Sequence, residues 1–585
     1  MLLLIQTEMD HTATPDNALT LLIIEAGLTA IAIAASYCVP HLGGGLFSAV
    51  ERMAGKLARR KAAAVVAVGC AMLLVRATML PWFPPPHPFS TGDFSFLLAA
   101  DTFAHGRLTN PTPAMWTHFE SIHITVQPTY MSMYFPAQGL LMALGTVLFG
   151  HPWACIFLMS GLMCASICWM LQAWLPPQWA LLGGVLAILR LGLFSYWVNS
   201  YTGAATITAF CGALILGSLP RLMRTSQPRY ALLMALGVAL IAITRPYEGV
   251  LISLPVLAVL VHWIFFTKNR PPLSTVLRLA VPSLALIAVA LAWLGFYDYR
   301  AFGKPSTLPY TVARTTYAVV PYYMWQHALP TPDYRHPEMR RFYTESENLD
   351  YNLSRSLSAF FSNLIKKLST GMMTFAGFAL LPPLVMSRRV LLDRRVRFLV
   401  CCLPIWIAGL AIGIFMVPHY LAAFTAGAFA LGLQATRHLY VWKFEGRPVG
   451  CALVRFLVVT CLALTALRLD AKSLHLSPQQ WPGRVWICSW IGPGQFGTDR
   501  SEVLAQLEKV PGRHLVFVRY SPTHEPTDEW VYNAADIDAS QVIWAREMNA
   551  VSNRELTQYY KDRDVWLVEP DLPESERLKP YPARP

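Results

Sequence analysis

Charged residues are scarce in this chain. Asp, Glu, Lys and Arg make up 14% of its 585 positions, whereas 55% of the positions are hydrophobic. The apolar residues gather in blocks of about 17 to 22, the length that crosses the hydrocarbon core of a bilayer. This pattern excludes an ordinary soluble protein and predicts a polytopic membrane protein. Because residues 1–16 carry acids and no basic region, no cleaved signal peptide is expected, and the first block should remain as a span.

Two other features are missing. The chain has 11 cysteines, but ten lie within or at the ends of apolar blocks and only Cys488 falls in a polar region, so no disulfide framework is predicted. A glycine-rich phosphate loop is also absent, because the string GPGQFG at 492–497 lacks the strand, turn and helix that such a loop requires. We interpret that string as a turn.

The net charge of +13 raises the question of a nucleic-acid partner. The basic residues lie in short loops between apolar blocks, however, and Arg107 is the only basic residue apart from histidine between positions 81 and 151. This is the positive-inside pattern, which places basic loops in the cytoplasm beside anionic lipid headgroups and argues against nucleic acid. The basic clusters lie at 52–61, 221–229, 268–278, 388–397 and 437–447.

About twelve spans are predicted from the apolar blocks. With every basic loop inside, the segments 81–151 and 298–368 become long outer loops. The apolar piece 136–150 must then start and finish outside; at a rise of about 1.5 Å per residue it reaches only about 22 Å, which predicts a re-entrant or interface-lying helix. The predicted spans are 17–37, 62–80, 152–173, 178–194, 203–219, 230–245, 248–267, 275–297, 369–387, 396–417, 419–438 and 449–468.

The segment after residue 470 has a soluble composition and is expected on the outer face. Its pattern predicts helices near 501–509 and 553–560 and strands at 514–519, 541–546 and 564–568, a small α/β layer. The predicted fold class is therefore mostly α: a polytopic membrane helical bundle with a small outer-face α/β domain. The predicted domains are an N-terminal span with its basic cytoplasmic loop (1–61), a transmembrane domain with both outer loops (62–470) and the outer α/β domain (471–585).

The first outer loop carries the leading candidate residues, because long loops without a domain of their own are usually functional. Asp93 follows the proline-rich exit of the second span; it is either a helix cap or a catalytic acid. Arg107 could hold a phosphate in bidentate fashion or form a salt bridge to Asp101 or Glu120. Glu120 and His123 fall in HFESIH, whose histidines are five residues apart and so lie on different faces of a helix. This spacing favours structural or substrate hydrogen bonds over a metal site.

Further candidates lie at the other outer turns. Arg245, Tyr247 and Glu248 belong to TRPYEG at the outer bilayer boundary, where charges are costly, so they either form a pair that closes the turn or serve a function. In the second loop, aromatic residues alternate with cations from Tyr297 to Trp325, with Lys304 and Tyr310 among them. Such residues either anchor the chain at the interface or contact a sugar or headgroup.

Several strings together resemble the GT-C superfamily of membrane glycosyltransferases, specifically its protein O-mannosyltransferase and aminoarabinose-transferase-like members, in an uncharacterised bacterial branch. The resemblance covers nearly the whole chain and includes an acid after an early outward span, a long outer loop and an outer C-terminal domain. The strings are LAADTFAHGRLTNPT (98–112), HFESIH, QPTYMSMYFPAQG (127–139), SYWVNSY (195–201), TRPYEG and EWVYNAADIDASQVIWARE.

The resemblance implies transfer of a sugar from a polyprenyl-phosphate carrier to an acceptor hydroxyl on the outer face of the plasma (inner) membrane. Asp93 would be the general base, and Arg107 and Arg245 would hold the phosphate. Tyr247, Glu248 and the aromatic loop would contact the sugar and lipid. No nucleotide-sugar site, metal or other cofactor is predicted, and the need for a divalent cation stays open, as do the sugar and the acceptor.

The chain departs from the family pattern at one decisive position. Where the family usually has an Asp-Glu pair, this chain has Gly92-Asp93, so the first carboxylate is missing. Either Asp93 takes the catalytic role, or another acid such as Asp101 or Glu120 does, or activity is lost. The alternative functions are therefore an inactive homologue that binds lipid-linked sugar during envelope assembly and, less favoured, a transporter. Transport is disfavoured because the polar residues collect at the outer surface rather than near the midplane.

Overall fold

The computed structural model describes residues 17–268, 270–352, 356–477, 489–493 and 497–582. Cys488 and residues 494–496 of the GPGQFG string lie outside the described residues. The helices are α1 (Asn17–Cys38), α2 (Gly44–Arg59), α3 (Lys61–Thr78), α4 (Thr91–Ala104), α5 (Pro136–Phe149), α6 (Trp153–Trp174), α7 (Pro177–Ala187), α8 (Ala205–Thr225), α9 (Pro228–Ala242), α10 (Pro246–Phe265), α11 (Leu273–Phe302), α12 (Pro309–Tyr317), α13 (Pro337–Arg341), α14 (Glu347–Asn352), α15 (Leu357–Phe375), α16 (Ser387–Leu391), α17 (Arg397–Ile412), α18 (Thr425–Tyr440), α19 (Val449–Leu469), α20 (Thr498–Glu508), α21 (Ala550–Tyr559) and α22 (Glu574–Arg577).

The predicted fold class is confirmed, and the chain is a multi-pass membrane protein. Within the described ranges, seven helices are long and apolar enough to cross a membrane: α1, α3, α6, α8, α10, α11 and α19. Each corresponds to a predicted span. The predicted spans at 178–194, 230–245 and 396–417 contain shorter apolar helices, as does the piece at 136–150. The 14 residues of α5 extend about 21 Å, short of a bilayer core; its re-entrant placement stays a prediction.

Two other predicted spans are not single helices. At 369–387 the chain forms the end of α15, a turn and a short 3₁₀ segment at Pro382–Met386. The helix stops because Gly377 adopts a positive φ of 56° and Pro382 and Pro383 cannot continue it. The predicted span at 419–438 starts with a 3₁₀ turn, Pro418–Phe424, and continues as α18. A hydropathy window averages over such breaks and does not register them.

The centre of the bundle is formed by α6 and α8, the two long helices with the most buried surface, whereas α11 is peripheral and mostly exposed. Close packing here depends on small residues, as is usual between membrane helices. Gly212 of α8 is one example: a side chain there would collide with the backbone carbonyl of Ala423. The 3₁₀ turn that begins at Pro418 is therefore pressed directly against α8.

A buried ion pair crosses the bundle. Glu25 of α1 accepts a hydrogen bond from Arg190 at 3.0 Å and another from the indole of Trp490 at 2.9 Å. Arg190 lies in a π-helical turn, Ile188–Gly192, that ends α7. Because an unpaired buried charge is strongly destabilising, this contact fixes the first span against the chain that follows the last span.

Two small sheets lie outside the bundle. In the first outer loop, β1 (Asn110–Pro111), β2 (Ile124–Thr125) and β3 (Thr129–Ser132) form an antiparallel sheet in the order β1-β3-β2. In the C-terminal segment, β4 (His514–Val518), β5 (Val542–Arg546), β6 (Asp564–Val568) and β7 (Leu578–Pro580) form a sheet in the order β5-β4-β6-β7. Strand β4 pairs in parallel with both β5 and β6. The helices and strands predicted for this segment are confirmed to within a few residues.

The C-terminal sheet packs on the first outer loop. The ring of Phe94 in α4 stacks on Tyr532 with centroids 4.7 Å apart, and Asp101 accepts a hydrogen bond from the Ala535 amide at 2.7 Å. Arg546 at the end of β5 donates to the Glu120 carbonyl at 2.7 Å and to the Glu529 carboxylate at 2.7 Å. The segments predicted to share the outer face thus meet at one end of the bundle.

Candidate functional site

Asp93 lies in the first turn of α4 and is fully buried. It forms a capping box with Ser90: the Ser90 hydroxyl accepts from the Asp93 amide at 3.1 Å, and the Asp93 carboxylate accepts from the Ser90 amide at 3.2 Å. Its other oxygen accepts from the Tyr201 amide at 2.9 Å. Burial raises the pKa of Asp93, and these hydrogen bonds act in the opposite direction. The predicted cap is thus present, but it is enclosed by protein rather than solvated.

Gly92 lies where the resemblance to the GT-C superfamily predicts an acid. A Cβ built there would lie 3.2 Å from Thr202 Cβ and 3.5 Å from the Tyr134 hydroxyl, and it would collide with the Thr202 hydroxyl. The space that a carboxylate would need is therefore filled by Thr202.

His123 connects this turn to the aromatic residues beside it. Its Nδ1 lies 3.0 Å from the Thr91 hydroxyl and 3.3 Å from the Tyr134 hydroxyl. Burial, followed by the nearby charge of Arg314, lowers the pKa of His123 to about 3. The imidazole is therefore neutral near pH 7 and suited to hydrogen bonding rather than to carrying charge. Its backbone has a φ of 68°, which histidine tolerates better than most residues.

Arg245 and Glu248 form the predicted pair at the start of α10. Arg245 Nη1 lies 2.8 Å from Glu248 Oε1, and Arg245 Nε donates to the Gly203 carbonyl at 2.9 Å. The guanidinium also lies 5.0 Å from the ring centroid of Tyr420. Both side chains are about nine-tenths buried. The pair closes the turn, and it also holds a cation at the start of α10.

A second buried pair lies next to the first. Arg314 of α12 contacts Glu347 at 2.7 Å and lies 5.0 Å from the ring centroid of Tyr322. The hydroxyl of Tyr322 is buried and has no hydrogen-bond partner among the described residues. An unmet buried hydroxyl is costly and is usually satisfied by water or a ligand.

Tyrosine rings join the two arginines into one group. Tyr310 lies 5.6 Å from Tyr134 and 5.8 Å from Tyr322, between ring centroids. Burial raises the pKa of Tyr134 and of Tyr310, so both phenols stay protonated and can donate hydrogen bonds. We call this group the tyrosine–arginine cluster. Its members are Tyr134, Arg245, Tyr310, Arg314, Tyr322 and Tyr420.

Glu120 lies above this cluster, in a separate cavity of about 220 Å³ between the two outer loops. Its carboxylate accepts a hydrogen bond from the Tyr317 hydroxyl at 3.2 Å and lies 3.5 Å from Arg335 and 3.4 Å from His336. The Glu120 carboxylate would repel a phosphate. The structure places it beside Arg335 and His336 rather than with Arg245 and Arg314.

Three other candidates lie away from the cluster. Arg107 follows the far end of α4, whose last residue, Ala104, lies about 16 Å along the helix axis from Asp93. The Arg107 guanidinium has no hydrogen-bond or ionic partner among the described residues. Asp101, one of its proposed partners, contacts His105 at 3.2 Å instead. Lys304 is exposed in the turn after α11. Tyr247 points to the neighbouring α17, where its hydroxyl donates to the Gly409 carbonyl at 2.7 Å.

Comparison with known proteins gives matches among solved structures alone: no protein-family model matches the chain, and no curated protein matches it. The oligosaccharyltransferase AglB of Archaeoglobus fulgidus, in complex with an inhibitory peptide and a dolichol-phosphate, aligns with 86% of this chain and 69% of its own at 11% identity and a TM-score of 0.46. ArnT of Cupriavidus metallidurans, bound to undecaprenyl phosphate, aligns with 86% and 92% at 13% identity and a TM-score of 0.47. Both similarities are distant.

Sequence reasoning did not select three residues of this region: Tyr134, Glu347 and Tyr420. A signal existed for Tyr420, because PHY at 418–420, like RPYE at 245–248, sets polar and aromatic residues beside a proline at the outer end of an apolar block. Tyr134 also precedes such a proline, at 136. No sequence signal pointed to Glu347. Its partner Arg314 lies 33 residues earlier, and only the tertiary fold brings the two side chains together.

Proposed function

We propose that the chain transfers a sugar from a polyprenyl-phosphate donor to an acceptor hydroxyl on the outer face of the plasma membrane, as its resemblance to the GT-C superfamily implies. The observation that carries the proposal is the tyrosine–arginine cluster: two nearly buried arginines packed among tyrosine rings, at the end of the bundle where the outer segments meet. A lipid-linked phosphate would have to be bound at this level, because its lipid stays in the bilayer.

The cluster suits a leaving phosphate. In the proposed reaction the acceptor oxygen attacks the anomeric carbon, the bond from that carbon to the phosphate oxygen breaks, and the lipid phosphate leaves with the electron pair. Arg245 and Arg314 would stabilise that charge, and Tyr310 and Tyr322 would donate hydrogen bonds to it. Both arginines are already paired with glutamates, so phosphate binding would rearrange the Glu248 or Glu347 carboxylate.

The acceptor proton needs a base, and Asp93 remains our proposed base. Its raised pKa suits proton uptake. Because its carboxylate is closed off by the capping box and by the Tyr201 amide, this role requires the first turn of α4 to open when the acceptor binds. Glu248 and Glu347, which pair with the two arginines of the cluster, are the other acids within the proposed site.

One observation favours a second candidate function. Thr202 fills the space beside Gly92, and Asp93 has all its hydrogen-bond partners within the protein, which fits a homologue that binds lipid-linked sugar without transferring it. Such a protein would keep the arginines of the cluster and lack a base. The two candidates therefore agree on the donor site and differ on turnover.

A transfer assay separates the two candidates. Purified full-length protein in liposomes is supplied with a panel of radiolabelled polyprenyl-phosphate sugars and a membrane extract as the acceptor source. The proposal predicts label transfer from at least one donor and a loss of about 10²-fold or more in Arg245→Gln, because a leaving charge would lose its donor. Arg245→Lys should retain part of the rate, and the exposed Arg300→Gln is the matched control.

The outcomes distinguish the hypotheses. Transfer by the wild type that survives in Arg245→Gln would contradict the proposed site. Binding of the donors without turnover of any of them would support the non-catalytic function instead. If the protein neither binds nor turns over any donor in the panel, both candidate functions are contradicted.

A further inference from the structure

The cavity that contains Glu120 is not used by the donor chemistry. It lies between the first outer loop and the segment 316–339, and its volume of about 220 Å³ is below the roughly 300 Å³ at which sites for drug-sized ligands begin. It therefore has room for one small group of a larger molecule. Six of its lining residues carry the argument: Trp116, Glu120, Gln127, Tyr317, Asp333 and Arg335.

These residues combine ring faces with hydrogen-bonding groups. Trp116 and Tyr317 offer flat apolar surfaces, on which the C–H face of a sugar ring packs well. Glu120 and Asp333 accept hydrogen bonds, Arg335 donates them, and Gln127 does both. Burial and the negative charge of Glu120 raise the pKa of Tyr317, so its phenol stays protonated. A ring bearing several hydroxyls matches this mixture of surfaces.

The charge of the cavity excludes the donor phosphate. Its wall carries two carboxylates, Glu120 and Asp333, against the single guanidinium of Arg335, which itself lies 3.5 Å from Glu120. A phosphate would meet net negative charge here, whereas a neutral polyol would not. Arg335 also lies 4.7 Å above the Trp116 ring, and its side chain is 47% exposed. Because about half of its side chain faces solvent, a sugar ring could displace it from the ring face of Trp116.

Helix α12 connects the cavity to the tyrosine–arginine cluster. Tyr310 and Arg314 are the members of the cluster that lie on this helix, and Tyr317 at its end lines the cavity. At about 1.5 Å of rise per residue, Tyr310 and Tyr317 are on the order of 10 Å apart along the axis. A molecule held in the cavity by one sugar ring could thus reach the cluster with its next one or two units.

We propose that this cavity is an acceptor subsite, which binds a neutral sugar ring of a glycan acceptor by stacking on Trp116 and by hydrogen bonds to Glu120 and Asp333. The term acceptor rests on the proposed transfer function, but the binding of a sugar in this cavity does not depend on that function. The acceptor is accordingly a glycan or glycolipid that carries uncharged hexose, rather than a protein side chain alone.

Binding is tested on the purified full-length protein in nanodiscs by saturation-transfer NMR and titration with methyl glycosides of glucose, galactose and mannose. Trp116→Ala should weaken binding of the preferred glycoside at least tenfold, and Trp116→Phe should restore part of it. Glu120→Gln should change which glycoside is preferred. Trp82→Ala, which removes an exposed tryptophan outside the cavity, is the matched control.

Other results overturn the assignment. Glycoside binding that is equal in the wild type and Trp116→Ala would place the sugar elsewhere. Stronger binding of methyl glucosaminide than of every neutral glycoside, lost in Glu120→Gln, would make the cavity an amine site. If the protein binds glycosides but transfers no sugar, this inference stands and the proposed transfer function fails. The two failures can therefore be distinguished.

Discussion

At the scale of single residues, Asp93 carries two expectations that the structure sets against each other. Its carboxylate caps α4 and accepts the Tyr201 amide, yet its burial resembles that of acids with a catalytic role. The sequence supports both interpretations. The spacing of Ser90 and Asp93 indicates a capping box, but the burial of Asp93 cannot be inferred from the sequence. Only the fold shows that Phe94 and Tyr201 close over this turn.

Substitution of Asp93 separates the two roles. Asp93→Asn keeps one acceptor oxygen for the capping box, so we expect the protein to stay folded with a small loss of melting temperature, and to lose transfer if Asp93 is the base. Asp93→Ala leaves buried amides unpaired and should cost about 1–3 kcal/mol of stability. Thermal unfolding in detergent and the transfer assay measure both effects. Full transfer by Asp93→Asn would exclude Asp93 as the base.

His123 gives the protein a defined sensitivity to acid. Its pKa falls from 6.5 to about 3 on folding, so between those values the unfolded chain binds a proton at this residue that the folded chain does not. Stability is therefore expected to fall as the pH drops below about 6.5. His123→Asn, which tolerates the left-handed backbone, should flatten this dependence when melting temperatures are compared above and below pH 6.5. The exposed His327→Asn is the control; an equal slope in both variants would contradict the prediction.

At the scale of elements, hydropathy located the helices that are both long and apolar, because each is a continuous block of bilayer length. It did not register the break at Gly377 or the 3₁₀ turn at 418–424, where backbone geometry rather than composition ends a helix. It also did not predict α2, an amphipathic helix whose exposed apolar stripe includes Leu46, Val50 and Met53. The pairing of Arg245 with Glu248 was readable, since a spacing of three places both on one helical face.

The first turn of α4 is packed tightly enough that position 92 accepts no side chain. Gly92→Ala should destabilise the protein by about 1–3 kcal/mol through overpacking against Thr202. Thr202→Ala removes the hydroxyl, so the double variant should recover most of the loss. A double-mutant cycle on melting temperatures measures this coupling. Additive effects would show that Thr202 does not fill the space of the missing acid.

At the scale of the whole molecule, the outer segments form one assembly around α4. The C-terminal segment holds the first loop through Arg546 and the Ala535 amide. The second loop contacts the connection after β4 through Arg341, which donates to the Pro522 carbonyl. The sequence predicted that these segments share a face, because charge distribution fixes sidedness. It could not predict that Arg245 and Arg314 belong to one cluster, since two predicted spans, α10 and α11, lie between them in the chain.

The most direct test of the proposed phosphate site is the affinity of the purified protein for polyprenyl phosphate, the product common to every donor considered. Native mass spectrometry or titration in nanodiscs would compare the wild type with Arg245→Gln and with the control Arg300→Gln. We predict that Arg245→Gln binds at least tenfold more weakly, as expected for the loss of a hydrogen bond to a charged group, and that Arg300→Gln binds like the wild type. Equal affinity in all three proteins would contradict the claim that the tyrosine–arginine cluster binds a lipid-linked phosphate.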